Sequence, residues 1–344
     1  MSTNMIEMLN TIRDNASTIY QDRIPEATRD NMESIRYAMI DDDNIMVANE
    51  FMETLLNKLV KSVVHNKLFG NPLKALKKGK KPLGDAIEEI YSNFIKAEVF
   101  DQTGANLLQR KLPDTKTVYH RMNRKDKYKV TVSREILSKA FASYDALDKY
   151  VASLIQSLYN SAELDEFVNM KQLIKSALDK NALVRMQTAD PTTGEANAKE
   201  FIKAVKTVSR LMTFPNSDFN GYLTAQSVDT NPIITFTRQD EQYLILDAAT
   251  DISCGVDVLA SLFNMSIAEF NNTKKIVIDS FPDKSVRAFL CDEQFFQVFD
   301  DMFVIKPFEN TEGLYMNYTL HVWQTMAYSI LVNAVAFTTA QTNE

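Results

Sequence analysis

The sequence predicts an α+β fold with mixed sheets, and three observations carry that prediction. Residues 148–180 hold one long apolar periodicity with no Gly or Pro inside it. Residues 181–344 alternate short strand-like and helix-like patterns. Residues 71–132 form an excursion interrupted at Gly79, Pro82, Gly84, Gly104 and Pro113, too charged and too broken for a core.

Taken in chain order, residues 1–45 read as a weakly structured arm. Two apolar groups, Met5, Leu9, Ile12 and then Met32, Ile35, Met39, are separated at Pro25 and followed by Asp41-Asp42-Asp43. Neither is long enough to hold a helix alone. Val47, Phe51, Leu55 and Leu59 mark an amphipathic helix over 44–60, and Val63–Phe69 reads as a strand closed by Gly70-Asn71-Pro72. Ile87–Tyr91 fits helix or strand on pattern alone. Thr117–Met122, the polar turn 123–127 and the alternating Tyr128, Val130, Val132 predict a hairpin. Ser133 caps a short helix to Ala142.

The strongest element is the helix over 148–180, with Val151, Leu154, Ile155, Leu158, Ala162, Phe167, Met170, Leu173, Ile174, Ala177 and Leu178 on its apolar positions. At ~1.5 Å per residue it spans about 50 Å, long enough to be a spine for other elements. Further helices are predicted at Ala198–Met212, Val256–Phe263 and Ile267–Asn271. Strands are predicted at Tyr243–Leu246, Lys275–Asp279, Ala288–Leu290 and Phe303–Pro307, with a long C-terminal pair, Leu314–Thr325 and Ala327–Thr339. Trp323, the single tryptophan, is expected to be a buried anchor of that pair.

Net charge is −7 but unevenly spread. Residues 61–84 carry seven Lys and no acid, and residues 109–129 carry a net +6, which leaves −20 for the remainder. Such a chain can attract copies of itself or present one face to a polyanion, although solvated lysine loops would look the same. The candidate contact residues are Lys74, Lys77, Lys78, Lys80, Lys81, Arg121, Arg124, Lys125 and Lys127, facing a neighbouring subunit or DNA.

Signatures of catalysis are missing from the sequence. It has no Gly-rich phosphate loop, no Gly-x-Ser-x-Gly elbow and no His-Glu-x-x-His helix. The three histidines, His65, His120 and His321, have no nucleophile or metal-ligand spacing beside them. The carboxylate pairs Glu88/Glu89 and Asp165/Glu166 are sequence neighbours, which point different ways on a helix or strand. Cys254 and Cys291 read as buried small apolar residues. No enzymatic activity, metal or cofactor is expected, and no stretch of about 18 apolar residues is available to span a membrane.

Three stretches carry a resemblance to a known family: Asn71-Pro72-Leu73-Lys74-Ala75-Leu76-Lys77-Lys78-Gly79 running into Pro82-Leu83-Gly84-Asp85-Ala86-Ile87-Glu88-Glu89-Ile90-Tyr91; Leu158-Tyr159-Asn160-Ser161-Ala162-Glu163-Leu164-Asp165-Glu166-Phe167; and Gly313-Leu314-Tyr315-Met316-Asn317-Tyr318 through His321-Val322-Trp323-Gln324-Thr325 to Asn333-Ala334-Val335-Ala336-Phe337. In order and interval they resemble the major capsid protein of Salasvirus-type short-tailed bacteriophages (podoviruses), over roughly residues 45–340. The relative continues into an immunoglobulin-like domain where this sequence ends at Glu344, so that domain is expected to be absent.

The resemblance implies a Hong Kong 97 (HK97)-like phage capsid fold and turns Ile87–Tyr91 into a strand. It implies an N-terminal arm (1–70), an extended β loop and its base (71–132), a peripheral domain with the spine helix (133–182), an axial domain (183–310) and C-terminal strands returning to the peripheral domain (311–344). The implied function is a structural virion protein, self-assembling in the host cytoplasm into hexamers and pentamers of an icosahedral or prolate shell. Implied partners are other copies of itself, a separate scaffolding protein, a portal protein and packaged double-stranded DNA. An encapsulin-type compartment shell is the nearest alternative, and a cytosolic α+β enzyme a more distant one.

Overall fold

The structure is a computed structural model, which describes residues 2–40, 50, 69–84, 86–100, 102, 108, 110–133, 144–225, 231–254, 275–310, 312–313 and 315–339. Apart from Glu50, Ser133 and Phe69, the residues of the elements predicted at 44–60, 63–69, 133–142, 256–263 and 267–271 lie outside the described residues. The chain forms two compact units. The smaller comprises 1–70, 125–165 and 302–323; the larger comprises 71–124, 166–301 and 324–344.

In the smaller unit the N-terminal segment is more ordered than its spacing suggested. Helices α1 (Ser2–Asn15), α2 (Thr18–Arg23) and α3 (Met32–Ile40) form, and Leu9, Ile12, Tyr20, Ile24, Ala27 and Ile35 are all buried. Polar side chains close the turns between them. The Asn10 amide donates to the Ala27 carbonyl (3.1 Å) and accepts from the Ala27 N–H (2.6 Å), while Arg13 Nε donates to the Ile24 carbonyl (2.8 Å). Pieces too short to be helical alone are thus held by side chain-to-backbone pairing, which an apolar pattern does not reveal.

The predicted spine is α4 (Tyr144–Asp179), 36 residues and about 54 Å long at 1.5 Å per residue. Its end is set by Asn181, whose positive φ (52°) suits asparagine. The Ala182 N–H then reaches back to the Ala177 carbonyl (2.7 Å) and the Asn181 N–H to that of Leu178 (3.0 Å), a Schellman closure.

Strands β1 (Gly79–Lys80), β9 (Phe296–Asn310), β10 (Tyr315–Tyr328) and β4 (Arg124–Ser133) make one sheet in the order β1-β9-β10-β4. In the smaller unit, α4 covers one face of it: Leu158 and Ala162 pack on Leu320 and Val322, with Tyr128, Val130 and Ile305 beside them. Tyr159 stacks on Phe303 at 5.4 Å between ring centroids.

The larger unit is built on a five-stranded sheet, β5-β11-β8-β6-β7, from β5 (Val184–Gln187), β11 (Ala334–Thr338), β8 (Val286–Asp292), β6 (Gln242–Asp247) and β7 (Lys275–Ile278). Both faces of its central strands β11, β8 and β6 are buried, so these read as apolar runs without alternation, whereas the edge strand β5 alternates. On one face Ala288, Leu290, Val335 and Phe337 meet Phe201, Ile202, Val205 and Val208 of α5 (Glu195–Leu211). On the other, Phe289, Cys291 and Ala336 meet Met170, Ile174 and Ala177 of α4.

Two predicted strand partnerships are corrected. The hairpin over 117–132 does not form: β3 (Thr115–His120) pairs antiparallel with β2 (Ile87–Ser92), and β4 leaves to lie beside β10. Asn123 anchors that turn, its amide donating to the Met326 carbonyl (2.7 Å) and accepting from the Met326 N–H (2.8 Å). The C-terminal strands do not pair with each other either. β10 runs on to Tyr328, and β11 sits inside the five-stranded sheet, parallel to β5 and antiparallel to β8. Period-two patterning assigns faces, not neighbours.

Two ion pairs tie the larger unit together: Arg287 with Asp190 (2.7 Å), and Lys171 with Asp279 (2.7 Å). Partial burial alone would raise both carboxyls, but hydrogen bonds and the facing cations hold them below the ordinary aspartate value of 3.8. A depressed folded-state value contributes stability above the unfolded value and loses it as pH falls through the folded one. Asp292 has the opposite sign, since burial raises it. Comparing urea midpoints at about pH 7 and about pH 3, the Asp190→Asn/Asp279→Asn variant is expected to lose less stability on acidification than the parent. An identical loss would show that the pairs carry no pH dependence.

Candidate assembly surface

The residues 71–124 project a two-stranded arm, β2 against β3 in the register Ile87↔His120 to Ser92↔Thr115. Its root is fastened within the larger unit. His120 Nε2 meets Glu89 at 3.0 Å, and the Ser329 hydroxyl donates to the other Glu89 oxygen. Tyr91 donates its hydroxyl to the Ile234 carbonyl. The Asn93 amide donates to the Pro232 carbonyl (2.9 Å) and accepts from the Ile234 N–H (3.0 Å). Beyond this point the chain turns apolar and bare: Phe94, Ile95, Val99, Phe100, Leu108 and Leu112 are all exposed, Val99 and Leu108 by 94% and 95%. Sequence reading registered the breakers and charges of this stretch but missed the apolar tip. The signal was there, in Phe94-Ile95 and Val99-Phe100 without helical or strand partners.

The nine candidate basic residues divide into two groups. Lys77 is partly buried between Glu166 (2.7 Å) and Asp300 (3.0 Å), Lys81 pairs with Asp301 (2.9 Å), and buried Arg124 donates to Gln324 Oε1 (2.6 Å). Burial would lower the Lys77 ammonium, yet its hydrogen bonds and charge pairing with Glu166 and Asp300 hold it above the ordinary lysine value. Lys77 and Lys81 therefore answer carboxylates inside their own chain, and Arg124 a buried amide. Lys74, Lys78, Lys80, Arg121, Lys125 and Lys127 are exposed, although Lys78 also donates to the Glu293 carbonyl (3.0 Å).

Two of the outward cations, Lys125 and Lys127, share one sheet face with Lys129. Tyr128 and Val130 of β4 point toward α4, so alternation sends Lys125, Lys127 and Lys129 to the opposite face, where they are exposed. Trp323 and His321 of β10 alternate with buried Leu320 and Val322, and Lys125 Nζ lies 5.1 Å from the Trp323 ring centroid. On β9, Phe303 and Ile305 face α4, which puts exposed Lys306 and Phe308 on the lysine side. Trp323 is consequently half-buried and not the enclosed anchor expected of it, because its register is opposite to that of Leu320 and Val322.

The carboxylate pairs diverge as their adjacency demands. Asp165 accepts from Tyr128 (2.7 Å) while Glu166 turns to Lys77; Glu88 accepts from Tyr119 (2.8 Å) while Glu89 turns to His120. Both cysteines are buried, and burial, with nearby aspartates, pushes the Cys254 thiol up to about 12. Burial raises Cys291 well above its usual range too. Among the described residues no group of three His, Cys, Asp or Glu is placed to hold a metal ion, and no helix is long and apolar enough to cross a membrane.

Comparison with known proteins places these features in context. The model of the family described as Phi29-like phage major capsid protein matches residues 9–338. The chain is 33% identical to the major capsid protein of Bacillus phage PZA over 339 residues, 97% of this chain and 73% of the relative. It is 37% identical to that of Bacillus phage GA-1 over 294 residues, 84% of this chain and 60% of the relative. Its fold resembles that in the capsid structure of Staphylococcus phage Andhra, with a TM-score of 0.65 at 14% identity, covering 80% of this chain and 86% of that one. The asymmetric unit of the bacteriophage PhiM1 mature capsid matches with a TM-score of 0.53 at 10% identity, over 80% and 88%. The fold is that of the HK97-like phage capsid proteins.

Proposed function

Because the chain belongs to the Phi29-like phage major capsid protein family, we infer that it is the subunit from which the closed shell of a phage head is built. The observation that carries this reading is the arm tip. Six large apolar side chains stand in solvent at the end of a fastened two-stranded arm, and a surface of that kind calls for another protein surface to cover it. Closed point-group assembly into hexamers and pentamers supplies one from every neighbour.

In this reading residues 71–132 are the extended loop, α4 is the spine of a peripheral domain, and the five-stranded sheet is the body of the axial domain. The lysine-bearing sheet face receives the arm of the adjacent copy. Half-buried Trp323 and exposed Phe308 on that face offer apolar surface to the exposed Phe94, Ile95, Val99 and Phe100 of the arm. Lys74, Lys78, Lys80 and Arg121 are further exposed contacts to a neighbour or to packaged DNA. The role is structural and not enzymatic, with a separate scaffolding protein, a portal protein and double-stranded DNA as partners. Assembly takes place in the host cytoplasm. Family membership favours a phage shell over an encapsulin-type compartment.

Trp323 reports on this docking without interference, being the single tryptophan. In the unassembled chain its emission is expected to be red-shifted and readily quenched by acrylamide. In assembled particles it should shift to the blue and resist quenching. Equal quenching in both states would mean that the lysine face stays uncovered, and the placement of the arm would be wrong.

A further inference from the structure

Helix α5 carries a row of cations that the shell-building reading does not use. Its inner side is fixed, with Phe201, Ile202, Val205 and Val208 buried against the five-stranded sheet. On the outer side lie Lys199, Lys203, Lys206 and Arg210, successively four, three and four residues apart. At 3.6 residues per turn and 1.5 Å per residue they fall within an arc of about 60° and make a row about 16 Å long. Lys199, Lys203 and Arg210 are exposed and Lys206 is half-buried. Glu195 holds the Lys199 ammonium (2.6 Å), but among the described residues Lys203, Lys206 and Arg210 have no ion-pair partner. A charge count hides the row, because Glu195 and Glu200 offset two of its four cations.

The row differs in kind from the lysine-bearing sheet face. That face presents Trp323 and Phe308 beside its lysines. The α5 row contains no large apolar side chain; Leu211, which is exposed, follows it at the helix end and is turned about 100° from Arg210. Centres of protein–protein interfaces are depleted of lysine and enriched in aromatic residues, so the sheet face suits a neighbouring subunit and the α5 row does not. Lysines on flexible stems suit phosphate, which asks for charge and little fixed geometry. The chain as a whole carries −7, which repels a polyanion from most of the surface and confines contact to places such as this one.

We propose that the α5 row is a contact for the phosphate backbone of duplex DNA, made by Lys199, Lys203, Lys206 and Arg210 without regard to base sequence. Duplex DNA carries one negative charge per about 1.7 Å of its axis, so a segment lying along the row offers roughly ten phosphates to the four cations. The inference rests on the shell-building reading for the source of the DNA, which is the packaged genome.

Fluorescence anisotropy tests the row without requiring a shell: a labelled duplex of about 20 base pairs is titrated with the unassembled full-length chain at about 50 to 200 mM salt. Each phosphate neutralised adds about 0.9 to the fall of log K with log salt. Lys199→Gln/Lys203→Gln/Lys206→Gln/Arg210→Gln keeps good helix formers in place. It should lower that slope by about 3 and weaken binding at the lowest salt by roughly tenfold or more. Lys203→Gln/Lys206→Gln should give about half the change in slope, and serves if the fourfold variant fails to fold. Lys175→Gln/Lys180→Gln removes the same charge from around the end of α4 and should bind DNA as the parent does. A parent without measurable affinity at the lowest salt, an unchanged slope in a folded row variant, or an equal change from the Lys175/Lys180 pair would each overturn the proposal. A row variant that binds DNA like the parent but no longer forms shells would also overturn it, since the face would then be a subunit contact. A chain that never forms shells but shows the row-dependent slope would reject the shell-building reading and leave the DNA contact standing.

Discussion

A chain carrying Phe94→Ser, Val99→Ser and Phe100→Ser is expected to fold normally and form no shells. All three side chains are exposed in the isolated subunit; Phe94 loses its stack on the exposed Phe236 ring, 6.5 Å between centroids, and exposed substitutions of this kind change stability little. In the shell each would be covered by a neighbour, and full burial of a large apolar side chain stabilises by about 1.5–3 kcal/mol. Three such losses per contact, at 1.4 kcal/mol per factor of ten, weaken each contact by roughly three to six orders of magnitude. Each subunit makes the contact with its own arm and receives it from another, so assembly fails as a whole. Sedimentation velocity gives the assembly state and near-ultraviolet circular dichroism the fold. Shells at parental yield would mean that the tip is not an assembly contact.

Phe289→Ala should give the largest single-residue loss of stability. Phe289 is fully buried in β8, with Phe295 edge-on at 4.9 Å and Phe296 at 6.4 Å between centroids. Phe295 and Phe296 meet each other at 5.1 Å. The site lies between the sheet and α4 and is held from several sides, so it cannot collapse into the space left. Phenylalanine-to-alanine changes in such cores cost about 3–5 kcal/mol, a large share of the roughly 5–15 kcal/mol that holds a domain folded. Urea unfolding followed by far-ultraviolet circular dichroism reads the shift, with the slope unchanged if only stability moves. A loss below about 1 kcal/mol would mean that this face of the sheet is not the core.

How much of this was legible in the sequence depends on the range over which each feature is determined. The long helix was legible because Leu158, Phe167, Met170 and Ile174 repeat with no breaker between them, and Glu195–Leu211 for the same reason. Strands β6, β7 and β8 were legible as apolar runs. Their neighbours were not: nothing local in Ala334–Thr338 says that it inserts between β5 and β8, or in Thr115–His120 that it turns back to Ile87–Ser92.

The candidate surface shows the same division. Composition located the basic segments, but Lys77, Lys78, Lys80 and Lys81 are indistinguishable to a charge count. The short strand Gly79–Lys80 and its register with Phe299 and Asp300 turn Lys77 and Lys81 inward to carboxylates and leave Lys78 and Lys80 exposed. Only the distant residues Glu166, Asp300 and Asp301 make that choice. Trp323 was misplaced for a related reason, since an apolar neighbourhood in sequence does not say which neighbours share its face.

Electron microscopy of the full-length chain, expressed together with the other head proteins of its phage, tests the central claim most directly. Closed, uniform particles whose shell is made of this chain in rings of five and six are the predicted result. A chain that remains monomeric or dimeric in that setting, with no particle or sheet containing it, would contradict the account.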